Sequence, residues 1–459
     1  MIGRVLFGVL FVLAALCPVA VYAQRCDVDY EAIIKLKAPH IGAYNLWDGV
    51  HGDQGGHGLE ERYVSSAVMP NGDIFAVGEQ YSTLSAGEGA KDGALALRLA
   101  EIDRRGRVVW QTIHAVKALE NVVKVIAVKD RYFVFANRIL GQSLSSIWVG
   151  EFDAAGMLIS QRSIQKTGGL RAYDVVSRKA GGFLMVAAGR ERMQEPDAYT
   201  FLYRLNTKAQ VVSARAYNPG GENALLGISP LKDGHYLASG YVVGAGGRES
   251  GWAMKMQDDG SIIWQRQYPR GGGARLLYAR EMVDGHLVLG GDVLPVSADA
   301  GYPSGWALQI DGRSGDVIWQ RYFTGEYHYA VRGLDVNDAG LISVLLDGDP
   351  VAAMGDDKGA GQKDFVQLLT LNPRGVIFDS HDLFQGLAAD AYGMIENAAG
   401  AFVIVGRTLG QFVQEDAALP AGQAPQTIKS HEAWIIALPN AGSYHDPCVP
   451  PAPQSFGSP

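Results

Sequence analysis

Gly305–Phe323 reads GWALQIDGRSGDVIWQRYF, and upstream Gly251–Tyr268 reads GWAMKMQDDGSIIWQRQY. Both run Gly-Trp, an alternating strand, a turn with Asp and Gly, then a strand containing Ile-Trp-Gln-Arg. One such unit is a hairpin; its repetition decides the fold. Looser copies start at Asp92 (DGALALRLAEIDRRGRVVWQ), Ser146 (SIWVGEFDAAGMLISQRS) and Ala198 (AYTFLYRLNTKAQVVSARAY). Two more start at Phe365 (FVQLLTLNPRGVIFDSHDL) and Glu432 (EAWIIALPNAGSY), which makes seven.

A second hairpin precedes each copy. The clearest are SSAVMPNGDIFAVGE from Ser65, ISPLKDGHYLASGY from Ile228 and AREMVDGHLVLGGD from Ala279. Asn-Gly and Asp-Gly between apolar runs mark hairpins, because glycine tolerates the positive φ such turns need. The turn of the later hairpin falls at Asp103, Asp153, Asn206, Gln257, Asp311, Asn372 and Pro439, in steps of 50, 53, 51, 54, 61 and 67. Four strands repeated at this period predict an all-β protein, a seven-bladed β-propeller of four-stranded antiparallel blades. A solenoid or a pair of β-sandwiches accounts less well for four strands per unit. The blades are expected near 62–114, 121–165, 171–217, 222–268, 274–323, 328–384 and 389–445, within one domain over 24–447.

The seventh unit stops after its third strand, Ala433–Leu438. Asp29–Ala38 (DYEAIIKLKA) is an orphan strand near the start of the chain. It is expected to complete blade seven, so that an N-terminal strand closes the ring.

The chain opens MIGRVLFGVLFVLAALCPVAVYAQ. Arg4, an apolar run from Val5 to Leu16 and the small-residue site Val21-Tyr22-Ala23 form the pattern of a secretory signal peptide over 1–23. The run is too short to span a bilayer. Export to the periplasm or the cell exterior is expected. Losing Arg4 with the leader takes the formal net charge from −8 to −9. A mildly acidic chain argues against nucleic acid and anionic membrane as partners. Cys26 and Cys448 would then be the remaining cysteines. In an exported protein such a pair is expected to be a disulfide, stapling the closure before a tail over 448–459. Glycine is abundant, 58 of 459 residues, as a chain of many turns requires.

Asp311 to Trp319 has the spacing D-x-x-[ST]-G-x-x-x-W. It resembles the repeat of quinoprotein alcohol dehydrogenases, and the chain resembles secreted bacterial propeller repeat proteins of that quinoprotein-like superfamily. The resemblance implies a propeller. In that family the cofactor, pyrroloquinoline quinone, lies over the central channel with calcium and often a vicinal cysteine pair. This chain lacks adjacent cysteines and an identifiable set of quinone and calcium ligands, so the resemblance is one of architecture. No cofactor is expected, pyrroloquinoline quinone included; calcium is an ion the carboxylates could hold.

The recurrent Trp110, Trp264 and Trp319 read as blade-packing residues, as do Trp148, Trp252, Trp306 and Trp434. Asp103, Asp153 and Asp311 read as turn residues that accept local backbone hydrogen bonds.

Function is sought where a propeller presents it, at the mouth of the channel. Repeat alignment places Arg62 and Tyr63, Arg171 and Tyr173, Glu222 and Asn223, Arg275 and Tyr278, His328 and Tyr329, Arg332, and Asp390 and Tyr392 on one face. Arg62, Tyr63, Arg171, Tyr173, Arg275, Tyr278, His328, Arg332 and Tyr392 are the ligand-binding candidates, suited to an anionic or sugar-like ligand. The two longest inserts, from Asp347 to Asp364 and from Arg407 to Glu432, share that face, where long loops often carry function. Asp347, Asp349, Asp356 and Asp357 are oxygen donors that calcium could use, though without EF-hand spacing. Trp47–Glu61 (WDGVHGDQGGHGLEE) holds His51, His57, Asp48 and Asp53, but reads foremost as a connector into blade one.

No phosphate-binding, dinucleotide-binding or nucleophile-elbow motif occurs. The first reading is therefore a binding or scaffolding module for a protein, peptide or glycan, monomeric on its own. The alternative is a propeller enzyme, such as a lyase, lactonase, glycosidase or quinoprotein-like oxidoreductase, with its site at the channel mouth. Fold alone does not separate them. Convergent carboxylates and histidines in the channel with shifted pKa values would favour an enzyme, and a flat apolar patch on one face would favour a protein partner.

Overall fold

Alternating apolar residues, broken at short intervals by glycine-containing turns, make every described element a strand. The computed structural model describes residues 30–35, 47–50, 61–82, 94–140, 144–190, 198–295, 303–325, 327–350, 364–383, 389–397, 400–413 and 427–438. Among them no helix is long and apolar enough to cross a membrane. Cys17, Cys26 and Cys448, the leader and the tail lie outside the described residues.

The strands fall into seven sheets. Two short strands come first, β1 (Glu31–Lys35) and β2 (Trp47–Val50). Blade one is β3 (Glu61–Val68), β4 (Ile74–Ser82), β5 (Ala94–Ile102) and β6 (Val108–His114). Blade two is β7 (Leu119–Val128), β8 (Arg131–Leu140), β9 (Leu144–Phe152) and β10 (Leu158–Ile164). Blade three is β11 (Leu170–Ser177), β12 (Phe183–Gly189), β13 (Tyr199–Leu205) and β14 (Val211–Tyr217). Blade four is β15 (Asn223–Pro230), β16 (Tyr236–Val243), β17 (Glu249–Met256) and β18 (Ile262–Tyr268). Blade five is β19 (Gly273–Glu281), β20 (Leu287–Leu294), β21 (Ser304–Ile310) and β22 (Val317–Thr324). Blade six is β23 (Tyr327–Val336), β24 (Ile342–Pro350), β25 (Phe365–Leu371) and β26 (Ile377–Leu383). Blade seven is β27 (Ala389–Glu396), β28 (Phe402–Val413) and β29 (Thr427–Leu438), completed by β2.

Consecutive strands pair antiparallel within each blade, and the first strands of neighbouring blades touch in turn, β27 meeting β3. The result is a closed seven-bladed propeller. Its hydrophobic core is distributed over seven seams, one per pair of neighbours. Between blades one and two, Phe75, Val77 and Leu97 meet Val122, Tyr132 and Trp148. Between blades seven and one, Val403, Val405 and Ile435 meet Tyr63, Ile74 and Ala76. Each second and third strand is apolar on both faces because it is covered by a blade on each side. Each large side chain buried there contributes about 1.5–3 kcal/mol.

The D-x-x-[ST]-G-x-x-x-W stretch is part of this packing. Asp311 Oδ1 accepts the N–H groups of Arg313 and Ser314 at 2.8 and 2.7 Å, which folds the turn. Gly315 takes φ +76°, open to glycine, and lies against the Trp264 indole of blade four. Trp319 reaches forward in the same way. It is fully buried, and its Nε1 donates to Pro373 O of blade six at 3.1 Å. Each outer-strand tryptophan thus seals the turn of the next blade, and Trp110 does so at Gly156.

Ring closure differs from the expectation in which strand performs it. The 29–38 stretch does not complete blade seven. Its β1 pairs parallel with β22, from Glu31 opposite Gln320 to Lys35 opposite Thr324, and adds a fifth strand to blade five. Blade seven is completed by β2, antiparallel to β29, with Trp47 opposite Ala437 and Val50 opposite Trp434. A short apolar segment such as EAIIK fits any open outer edge, so its sequence does not specify which one. The four-residue WDGV contains a glycine and is too short to announce itself as a strand.

Candidate functional site

Links between blades and connections between second and third strands share one face, called here the upper face. The β-hairpin turns within blades occupy the lower face. Near the upper face every first strand shifts register at the same step. The extra residues are Val64, Val123, Tyr173, Leu226, Leu277, Arg332 and Tyr392. Such bulges re-aim side chains. In blades one, two, four and five they are the aliphatic Val64, Val123, Leu226 and Leu277; blades three, six and seven instead offer Tyr173, Arg332 and Tyr392.

A second repeat position lies beside the bulge, on the second strand. In three blades its side chain bonds to the next blade. Glu79 accepts the Val122 N–H, Asn137 Oδ1 accepts the Ala172 N–H at 2.8 Å, and Asp292 Oδ1 accepts the Val331 N–H at 3.0 Å. Each receiving residue immediately precedes a bulge. These hydrogen bonds staple the ring near its mouth.

In blade six the position is Asp347. Asp347 and Asp349 lie at the end of β24 rather than in a loop, and both point to one face of the strand. Asp390, on β27 of blade seven, completes a triad whose carboxylate oxygens lie within 4.8 Å of one another. Arg332 Nε donates to Asp347 Oδ2 at 3.3 Å, and Arg407 donates to Asp390. Burial pushes the Asp347 carboxyl upward, with Arg332 opposing and Asp390 and Asp349 reinforcing the rise. Burial, then Asp390, raises Asp349. Burial, then Asp349 and Asp390, takes Asp364 up to about 6. Burial lowers His328, against the pull of Asp349.

The cluster continues toward blade one. Arg62 pairs with Glu79 and lies 5.3 Å from the Tyr392 ring centroid. A small cavity there is lined by Glu61, Arg62, Glu79, Tyr81, Leu95 and Arg407. On the other side, burial pushes Tyr278 up to about 12 beside Arg332 and Asp292.

The remaining candidates are spread around the rim. Arg171 pairs with Glu120 at 2.7 Å, next to the exposed Tyr173. Arg275 pairs with Glu249 and sits 5.0 Å from the Tyr241 ring centroid. Tyr63 is fully buried with Arg98 over its ring, and Asn223 is buried and accepts the Thr200 N–H, so both belong to the scaffold. Asp356, Asp357, His51, Asp53 and His57 lie outside the described residues, while Asp48 falls in β2. Repeat alignment had put Asp390 on the rim without joining it to Asp347. Glu79, Asp292 and Arg407 were missed. Their signal was a polar residue at one step of an otherwise apolar second strand, in AVGE, LGGD and IVGR.

No protein-family model matches the chain, and no curated protein matches it in sequence. Solved structures do. A puromycin hydrolase superposes with a TM-score of 0.50 at 13% identity, over 84% of this chain and 55% of that one. The chain thus spans just over half that protein's length. A neuraminidase-like protein of bat origin from Guatemala covers 90% of this chain and 98% of that one, at 10% identity and a TM-score of 0.37. An endo-arabinase from Bacteroides thetaiotaomicron covers 56% of this chain and 95% of that one, at 10% identity and a TM-score of 0.34. At such identities a likeness concerns the fold alone. The seven-bladed architecture is supported, and no match supports the quinoprotein-like superfamily in particular.

Proposed function

We propose that the protein is an exported carbohydrate-binding propeller that takes a hydroxyl-rich ligand on its upper face, centred on blades six, seven and one. The observation that carries this reading is the state of the rim arginines. Arg62, Arg171, Arg275, Arg332 and Arg407 are each paired with a carboxylate. A neutralised guanidinium offers N–H donors without a positive field, which disfavours a free anion as ligand. The paired carboxylates offer acceptors alongside. Neighbouring donors and acceptors match vicinal hydroxyls. Tyr81, Tyr173, Tyr241 and Tyr392 supply ring faces of the kind on which sugar rings pack.

A flat protein partner is less well supported. Exposed aliphatic pairs such as Val108-Val109, Val211-Val212 and Ile262-Ile263 begin the outer strands of blades one, three and four near the lower face. The leader pattern over 1–23 is the basis for placing the protein outside the cytoplasm.

The test is a glycan array probed with the full chain, followed by calorimetry on the best ligand. Binding is expected, with Tyr392→Ala weakening it about tenfold, or 1.4 kcal/mol. Failure to bind any glycan on the array would overturn the reading, as would an affinity indifferent to Tyr392→Ala. Cleavage of the bound glycan would shift the function to the enzymatic alternative.

A further inference from the structure

Blade six carries an acceptor at the staple position that reaches no N–H of the next blade, and carboxylates converge there. Glu79, Asn137 and Asp292 each reach an N–H of the following blade. Asp347 occupies the same repeat position, opposite Ala330 as Asp292 is opposite Arg275, yet makes no such bond. Its residue is 4% exposed, and Oδ1 is shut off from solvent without a hydrogen-bond partner. A buried carboxylate oxygen with no donor is costly, and native proteins rarely leave one unsatisfied. No N–H group among the described residues satisfies it, which leaves the oxygen available to a bound ion.

The surroundings say which ion. Asp349 and Asp390 bring their oxygens, with that of Asp347, to within 4.8 Å of one another. Two oxygens each about 2.4 Å from one calcium ion can be at most about 4.8 Å apart, so these three can share one ion; magnesium, which keeps several waters and usually takes one or two carboxylates, suits a three-carboxylate set less well. The donor set is all oxygen, as a hard cation requires. Three carboxylates face two guanidiniums, Arg332 on Asp347 and Arg407 on Asp390, which leaves a formal negative charge.

We propose that Asp347, Asp349 and Asp390 form a calcium site that locks blade six to blade seven, with Asp347 Oδ1 as its buried ligand. The ion stands where Glu79, Asn137 and Asp292 use an N–H staple at three other seams, and water completes its shell. The site does not depend on the carbohydrate reading, because it joins groups of the scaffold.

The test uses the full chain stripped of metal by a chelator, with calcium chloride as the probe and no glycan present. Calorimetry is expected to give one calcium ion per chain, and calcium is expected to raise the melting temperature. Asp349 is exposed, so Asp349→Asn and Asp349→Ser should both fold, and each should lower calcium affinity about tenfold or more. Asp316→Asn, at an exposed lower-face turn, should bind as the parent does. The proposal is overturned by no heat and no melting shift up to about 10 mM calcium, beyond the range of extracellular calcium modules. It is equally overturned by undiminished affinity in both Asp349 variants, or by magnesium binding as tightly as calcium.

Discussion

One repeat position on the second strands sets much of the chemistry of the upper face. Asn137 and Asp292 do the same structural task there, each accepting a backbone N–H from the next blade, but only Asp292 titrates. Burial pushes its carboxyl up to about 6, against the Val331 N–H, Arg332 and Arg275. In the unfolded chain an aspartate releases its proton near pH 3.9. Between about pH 4 and pH 6 the folded state therefore holds more protons than the unfolded one. Stability then falls as pH rises through that window, and the loss persists above it. Asp292→Asn keeps the acceptor oxygen, as Asn137 demonstrates in blade two, and removes the titration. Its stability relative to the parent should rise by about 1–2 kcal/mol from pH 4 to pH 7, after allowing for solvent screening. Urea melts at the two pH values measure this, and parallel behaviour of parent and variant would show that Asp292 does not titrate as described.

At the scale of the element, the bulge of each first strand has a counterpart on the second. The facing residue is Gly78, Gly240, Gly291 or Gly406 in four blades. A Cβ at Gly240 would lie 1.9 Å from Ala224 O, so the chain passes too close for any side chain. Gly240→Ala should cost about 3 kcal/mol, as overpacking against backbone does. Gly246, in a turn with nothing within 4 Å of its missing Cβ, is the control, and Gly246→Ala should change stability by less than about 0.5 kcal/mol. Equal denaturation midpoints for the two variants would contradict the close approach. The same geometry explains what was legible in the sequence. Hairpin turns and apolar strands are local features, and their recurrence gave the propeller and its upper face. The Asp347, Asp349 and Asp390 triad is not local. It depends on β24 and β27 of different blades meeting at the mouth, and on Asp347 lacking the backbone partner that Glu79, Asn137 and Asp292 possess. Repeat alignment could equate Asp347 with Asp292, but only three dimensions reveal that one is satisfied and the other is not.

For the whole molecule, stability depends on a ring with no open seam. Each blade packs on two neighbours, and blade seven is finished by a strand from the other end of the chain. The two N-terminal strands consequently differ in weight. β1 lies on the outer edge of blade five, which already has four strands. Without it that edge would resemble the outer edges of the other blades, exposed at one side of the sheet. β2 supplies the missing fourth strand of blade seven and covers β29, whose Trp434, Ile435 and Ile436 are buried. A chain beginning at Pro39 should lose about 1 kcal/mol and remain a single cooperative unit, because it retains β2. A chain beginning at His51 should lose about 3 kcal/mol or more, because β29 becomes an unpaired edge and its apolar residues lose their cover. Urea denaturation of the two truncations against the full chain separates these outcomes. If the longer truncation matched the shorter, β2 would not be the strand that closes the ring. If the shorter one already fell as far, closure would run through blade five and the 29–38 segment after all.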